Sequence, residues 1–174
     1  METLEDAGGL ANADAQDAAE IIRIDVEREG HAELIALEIE ERDDLLDHVR
    51  TRLDLEADVL IFERDKDEPL VEIIKGRRAL RLVTHKHRQI TVRVQYEHRT
   101  KEETVAPSKT VFKVLLWAVG KKGFDLDAMQ AAKANLILPG AETPLPRDSA
   151  IGAFTQAGEC VLVVDLTLKD FTNG

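Results

Sequence analysis

A single thiol, Cys160, is present in this 174-residue chain. One cysteine cannot form an intramolecular disulfide, and a reducing, cytoplasmic setting is expected. Aromatic residues make up only 4% of the sequence, so any core must be built from aliphatic side chains. No apolar run approaches the length of a membrane span, and the first residues carry no signal-peptide pattern. The phosphate-cradling loop, the dinucleotide glycine motif and the serine nucleophile elbow are all missing. Cysteine, histidine and carboxylates do not occur together at metal-ligand spacing. No catalytic residue, cofactor or metal is therefore expected. Cys160 lies at a strand start among apolar neighbours and reads as a small core residue rather than a nucleophile. His85 and His87, two apart, read as part of a polar join rather than a ligand pair.

Charged residues make up 33% of the chain and the formal net charge is −11. The imbalance is confined to the front: residues 1–19 hold 5 acids and no bases, and residues 20–86 net −7. Residues 87–174 net +1. An acidic front half argues against nucleic acid or an anionic membrane as partner. It is compatible with a basic protein partner, although a solvated acidic face explains it as well.

Residues 1–19, rich in Ala, Gly, Asp and Glu and without apolar periodicity, read as a disordered leader. Order begins with Ile22, Ile24 and Val26, which alternate with Arg23, Asp25 and Glu27 as in a strand with one wet face. Glu29-Gly30-His31 supplies a turn, and residues 34–39 return, making a hairpin. A helix follows near 42–54. Glu40, Glu41, Asp43 and Asp44 crowd its start, and Leu45, Leu46, Val49 and Leu53 form one apolar stripe. Short strands are expected at Val59 to Phe62 and at residues 79–83. The order then repeats. Ile90, Val92 and Val94 alternate, with Thr104-Val105-Ala106 as a weaker returning strand. Ser108 is the candidate N-cap of a helix near 109–120 with the stripe Val111, Val114, Leu115 and Ala118, on which Trp117 reads as core or domain-interface packing. Residues 121–133 read as an insertion with a short helix through Met129, and Lys121-Lys122 as a solvated helix end. Ile151 and Phe154 are core anchors, and Gly158 turns into the last strand. The join, Thr84-His85-Lys86-His87-Arg88, has no Pro, Gly or Ser, so two close-coupled domains are expected rather than tethered ones.

The last stretch organises the rest. Leu162, Val164, Leu166 and Leu168 alternate with Val163, Asp165, Thr167 and Lys169 as in a half-buried strand. The alternation then fails through Asp170, Phe171, Thr172 and Asn173 to Gly174. A frayed end is one reading. A tail that enters a narrow active site is the other, because glycine lets catalytic groups approach the backbone carboxylate closely.

Hairpin, crossing helix and further strands, with the last strand reaching the tail, resemble the order of the ubiquitin-like β-grasp fold. In the second unit Leu136-Ile137-Leu138-Pro139-Gly140 is similar to ubiquitin's Leu-Ile-Phe-Ala-Gly, and Asp148-x-x-Ile151-x-x-Phe154 to its late turn. Residues 159–169, Glu-Cys-Val-Leu-Val-Val-Asp-Leu-Thr-Leu-Lys, align without a gap with ubiquitin's last strand, and Gly174 takes the place of the terminal glycine. The first unit matches in element order and in Leu60-Ile61-Phe62. Two such units after a leader resemble the interferon-induced two-domain modifier and the modifiers of bacterial ubiquitination-like systems linked to phage defence. The expected class is thus α+β: a leader (1–19), two tandem ubiquitin-like β-grasp domains (20–86 and 87–169) and a flexible conjugation tail (170–174).

The resemblance implies a protein modifier rather than an enzyme. Gly174 would be activated by an E1-like enzyme, passed to an E2-like enzyme, joined to target lysines and released by a JAB-like protease. Asp170, Phe171, Thr172 and Asn173 would be read as the tail, and Ile137, Asp165 and Thr167 would form the partner-binding surface. Ile137 matches ubiquitin's patch isoleucine. Asp165 stands where ubiquitin has its patch valine, Thr167 where it has the arginine read by its activating enzyme, and Asn173 where it has its first tail glycine. Dedicated partner enzymes are implied. A non-conjugated adaptor that binds through sheet faces or edges, and a sulfur carrier with Gly174 as thiocarboxylate, remain the alternatives; the tandem build counts against the carrier.

Overall fold

The computed structural model describes residues 18–73, 75–169 and 171. The leader expected over 1–19 falls almost wholly outside these residues, as do Asp170, Thr172, Asn173 and Gly174 of the tail.

Alternation builds the first sheet. Strand β1 (Ile21–Arg28) turns at Gly30, where φ is 71°, and returns as β2 (Ile35–Glu40). Helix α1 (Leu45–Arg52), β3 (Leu60–Glu63) and β4 (Ala79–His85) follow. Strand β4 runs parallel to β1, giving the order β2-β1-β4-β3. Ile22, Ile24 and Val26 are fully buried under α1, which contributes Leu45 and Val49. Each such aliphatic side chain contributes about 1.5–3 kcal/mol on burial. Helix α1 is shorter than the expected 42–54: it starts only at Leu45, after Asp44 as N-cap, and it ends at Arg52, just before Asp54 takes a left-handed φ of 50°.

The second sheet repeats this plan. It consists of β5 (Ile90–Tyr96), β6 (Arg99–Val105), α2 (Val111–Val119), α3 (Ala128–Lys133), β7 (Asn135–Ile137), a 3-10 turn (Ile151–Phe154) and β8 (Val161–Thr167). Strand β8 lies between β5, to which it is parallel, and β7, to which it is antiparallel. The chain is therefore α+β, with two tandem ubiquitin-like β-grasp domains. The stripe Val111, Val114, Leu115 and Ala118 is the buried face of α2. Trp117 packs half-buried on this domain's own core. The helix starts two residues later than Ser108 would place it: Thr110 is the N-cap and accepts from the Lys113 N–H. Strand β6 is a full strand from Arg99, not a weak one at Thr104. The insertion supplies a core residue, Phe124, edge-on to Tyr96 with ring centroids 5.4 Å apart.

The strongest departure from the sequence pattern is on the outer face of the first sheet. Glu27, Val83 and Phe62 lie in one row across β1, β4 and β3. Alternation assigns all three to solvent, yet Val83 and Phe62 are 0% exposed and Glu27 is 9% exposed. The second domain covers them with Ala106 and Ala150. His85, expected in a polar join, is instead the last residue of β4 on this same face and is fully buried. The join is short because the strand itself runs into the interface.

Several hydrogen bonds cross the interface. Glu27 Oε1 accepts from the Ala150 N–H at 2.9 Å, and Glu29 Oε1 from the Gly158 N–H at 2.7 Å. Asp65 donates its N–H to the Ser108 carbonyl at 2.9 Å and accepts the Thr110 N–H at 3.0 Å. The Ser108 hydroxyl, not needed as a cap, donates to the Lys66 carbonyl. His85 Nδ1 accepts from the His87 N–H at 3.0 Å, so the proton sits on Nε2, which donates to Thr155 Oγ1 at 2.8 Å. The Thr155 hydroxyl in turn donates to the Gly152 carbonyl at 2.9 Å. Gly30 permits close approach across the interface: a Cβ there would stand 3.1 Å from the Ala157 nitrogen. Within the second domain, a Cβ on Gly152 would stand 2.4 Å from Pro107 Cβ.

Both interface ionisations work against charge. Burial pushes the His85 pKa below 6.5, against the opposing pull of Glu29, whose Oε1 is 3.8 Å away. Burial also raises the Glu27 carboxyl above 4.5, although the Ala150 N–H and the charges of Arg81 and Arg64 pull it down. The signs are opposite. The His85 contribution is complete above pH 6.5 and lost as pH falls below it; the Glu27 contribution is complete below 4.5 and lost as pH rises through its raised value. In urea denaturation, wild type should lose stability relative to His85→Gln as the pH drops from about 7.5 to about 5.5. Equal losses in both proteins would contradict the neutral, Nε2-protonated His85. Phe62→Ala should cost about 3–5 kcal/mol by the same measurement. A cost below about 1 kcal/mol, the range of an exposed side chain, would show that the second domain does not cover this row.

Candidate partner surface on the second sheet

The second sheet has one face under α2 and one face free. Leu162, Val164 and Leu166 point to the helix, so Val163, Asp165 and Thr167 point away. Pairing then assembles the face: Asp165 lies opposite Ile137 on β7 and opposite Gln95 on β5, and Thr167 lies opposite Asn135. Ile137, Asp165 and Thr167, which are distant in sequence or separated along it, therefore share one face, each half-buried. Thr167 also ends the strand locally, its Oγ1 accepting from the Lys169 N–H at 3.1 Å.

Asp165 and Leu166 border a cleft of about 390 Å³ at the β5–β6 turn, with Glu97, His98, Arg99 and Thr100 on its other side. Arg99 is held there by its guanidinium carbon, 5.5 Å from the Tyr96 ring centroid and 5.2 Å from that of Phe124. The surface is thus a half-buried isoleucine beside a carboxylate, a threonine and a polar cleft. An apolar side chain ringed by hydrogen-bonding groups is a surface that can recognise a partner. Phe171, half-buried, lies with its ring centroid 5.6 Å from Lys169 Nζ. The rest of the expected tail, including Gly174, lies outside the described residues.

Other residues singled out by sequence fall elsewhere. Cys160 is exposed, which corrects the core assignment. Its position has the inward parity of Leu162, but it precedes the first paired residue, Val161, beyond the cover of the core. His85 has both ring nitrogens committed to hydrogen bonds, and the His87 Nε2 lies 2.9 Å from the Gly158 carbonyl. No cluster of three or more His, Cys, Asp or Glu side chains arranged for a metal occurs among the described residues. None of the helices among them is long and apolar enough to cross a membrane.

Sequence reasoning missed the interface set of Glu27, Glu29 and His85. A signal was present in Ile61-Phe62 and Leu82-Val83, where apolar residues occupy both faces of a strand. No curated protein matches the chain. Residues 91–169 match the family model described as BilA ubiquitin-like domain 2. The second domain is thus similar to a ubiquitin-like domain in sequence as well as in strand order, and the match supports a bacterial ubiquitin-like (BilA) family.

Proposed function

We propose that this chain is a ubiquitin-like modifier that acts in the bacterial cytoplasm, in defence against phage. The observation that carries this reading is the placement of β8. It is a central strand of a domain similar to BilA ubiquitin-like domain 2, and it leads directly from the Ile137–Asp165–Thr167 face into the tail. The Gly174 carboxylate, encoded as the end or exposed by a JAB-like protease, attacks the α-phosphate of ATP on an activating (E1-like) enzyme and displaces pyrophosphate. A cysteine thiolate of that enzyme then displaces AMP, forming a thioester. A conjugating (E2-like) cysteine takes over the acyl group, and a target lysine amine displaces that thiolate to form an isopeptide bond. The chain supplies the carboxylate and the recognition surface; the nucleophiles belong to its partners.

Residues 170–174, fully extended, span at most about 17 Å, enough to reach a recessed catalytic centre while the domain stays outside it. Gly174 presents no side chain to the phosphate or the thiolate. Asp165 and Thr167 set specificity, because an enzyme that requires ubiquitin's valine and arginine finds a carboxylate and a hydroxyl instead.

Deleting Gly174 should abolish the reductant-sensitive adduct with the cognate activating enzyme, seen on non-reducing gels. Adding a residue after Gly174 should block it until a protease removes the residue. An adduct formed without Gly174 would rule out the modifier reading and leave the adaptor. In the same assay Phe171→Ala should raise the concentration needed for half-maximal activation roughly tenfold, the loss expected of an aromatic anchor. Unchanged activation and processing would remove Phe171 from the recognition site.

A further inference from the structure

The two domains share one fold, so their helices can be compared position by position. Both α1 and α2 cover a sheet with one face and turn the other outward. The outward face of α1 carries Asp47, Thr51 and Arg52, an ordinary solvated surface. The outward face of α2 carries Phe112 and Leu116, one turn apart and 44% and 51% exposed. Lys113 is the only polar residue in the whole of α2, VFKVLLWAV. A helix that is apolar all round is normally buried all round. Here one side is buried and the other is open.

The charge around this stripe is as unusual as its apolarity. Residues 109–123 contain Lys109, Lys113, Lys121 and Lys122 and no acid, in a chain whose net charge is −11. Lys121 and Lys122 are exposed at the C-terminal end of α2, with no ion pair among the described residues. At the other end Phe112 forms one wall of a groove of about 310 Å³ together with Lys113, Arg64 and Arg147. The carboxylates at this end are already engaged: Asp65 by the Thr110 N–H and by Lys113 Nζ at 3.5 Å, and Asp148 by Arg81 at 3.8 Å.

We propose that the outer face of α2 is a docking surface for an acidic amphipathic helix of a partner protein. An apolar ridge on that helix packs between Phe112 and Leu116, and its flanking carboxylates meet Lys121 and Lys122 at the C-terminal end of α2. A second copy of the chain does not suit the site, because a two-fold contact would set each lysine cluster against another. An anionic membrane does not suit it either, since the acidic first domain would be drawn towards a like-charged surface. The α2 face and the Ile137–Asp165–Thr167 face lie on opposite sides of the domain. Both can be occupied at once, and neither depends on the tail.

The test is a displayed library of short amphipathic peptides panned against the full chain, with binding then measured by fluorescence anisotropy. Enriched peptides should carry Asp or Glu beside an apolar stripe, and their amide-shift footprint should centre on α2. Leu116→Gln should weaken them roughly tenfold or more, and Lys121→Glu with Lys122→Glu should do so independently. Those lysines are exposed, so that second variant does not depend on the first keeping its packing; circular dichroism checks both. Phosphatidylserine vesicles and the chain alone in sedimentation are the competing arms. Enrichment without acidic bias, or binding indifferent to both variants, would overturn the proposal. So would vesicle binding or dimerisation that Leu116→Gln abolishes.

Discussion

A row of three side chains on the wrong face of a sheet holds this molecule together. Glu27, Val83 and Phe62 occupy the outer face of the first sheet, and burying them makes that sheet a middle layer, with α1 on one side and the second domain on the other. The apolar members supply the burial. The carboxylate sets the condition: Oε1 is bonded to Ala150, Oε2 is buried without a partner, and burial raises its proton affinity. A buried carboxylate is costly unless its surroundings are fixed to suit it. The surrounding hydrogen bonds of Glu29, Asp65, Ser108 and His85 all cross the same boundary, and they fix it.

The sequence made the fold legible wherever one face was dry and the other wet. Ile22, Ile24 and Val26, and again Ile90, Val92 and Val94, mark the first strand of each domain because their partners Arg23 and Arg93 stay in water. The stripe of α2 is legible for the same reason. The interface was not, because a second buried face erases the alternation on which such reading depends. At Leu82-Val83-Thr84-His85 every residue is buried, and the pattern carries no period. Ser108 shows the same limit on a smaller scale: a hydroxyl three residues before a helix looks like a cap whether or not a distant carbonyl, that of Lys66, claims it.

The resemblance to ubiquitin named Ile137, Asp165 and Thr167, but that they share one face follows only from strand pairing. Ile137 and Asp165 are far apart in the chain, and nothing in local composition joins them; the antiparallel register of β7 and β8 does. The open side of α2 is the reverse case. Its residues are adjacent in sequence, but Phe112 and Leu116 look like core until the structure shows that the core is already complete without them. The two surfaces use the two sides of one thin domain, each apolar patch bordered by polar groups of distinct charge.

The position of β8 bears on how the protein responds to force. It runs parallel to β5, and β5 begins where the first domain ends. A pull between the first domain and a point beyond β8 draws the two strands past each other lengthwise. The hydrogen bonds between them are then loaded together in shear, whereas a pair peeled open from one end yields one bond at a time. The same arrangement of β1 and β4 recurs in the first domain. Traction along the chain axis therefore meets its greatest resistance at the two parallel seams, and rupture there is governed by the unfolding rate rather than by equilibrium stability.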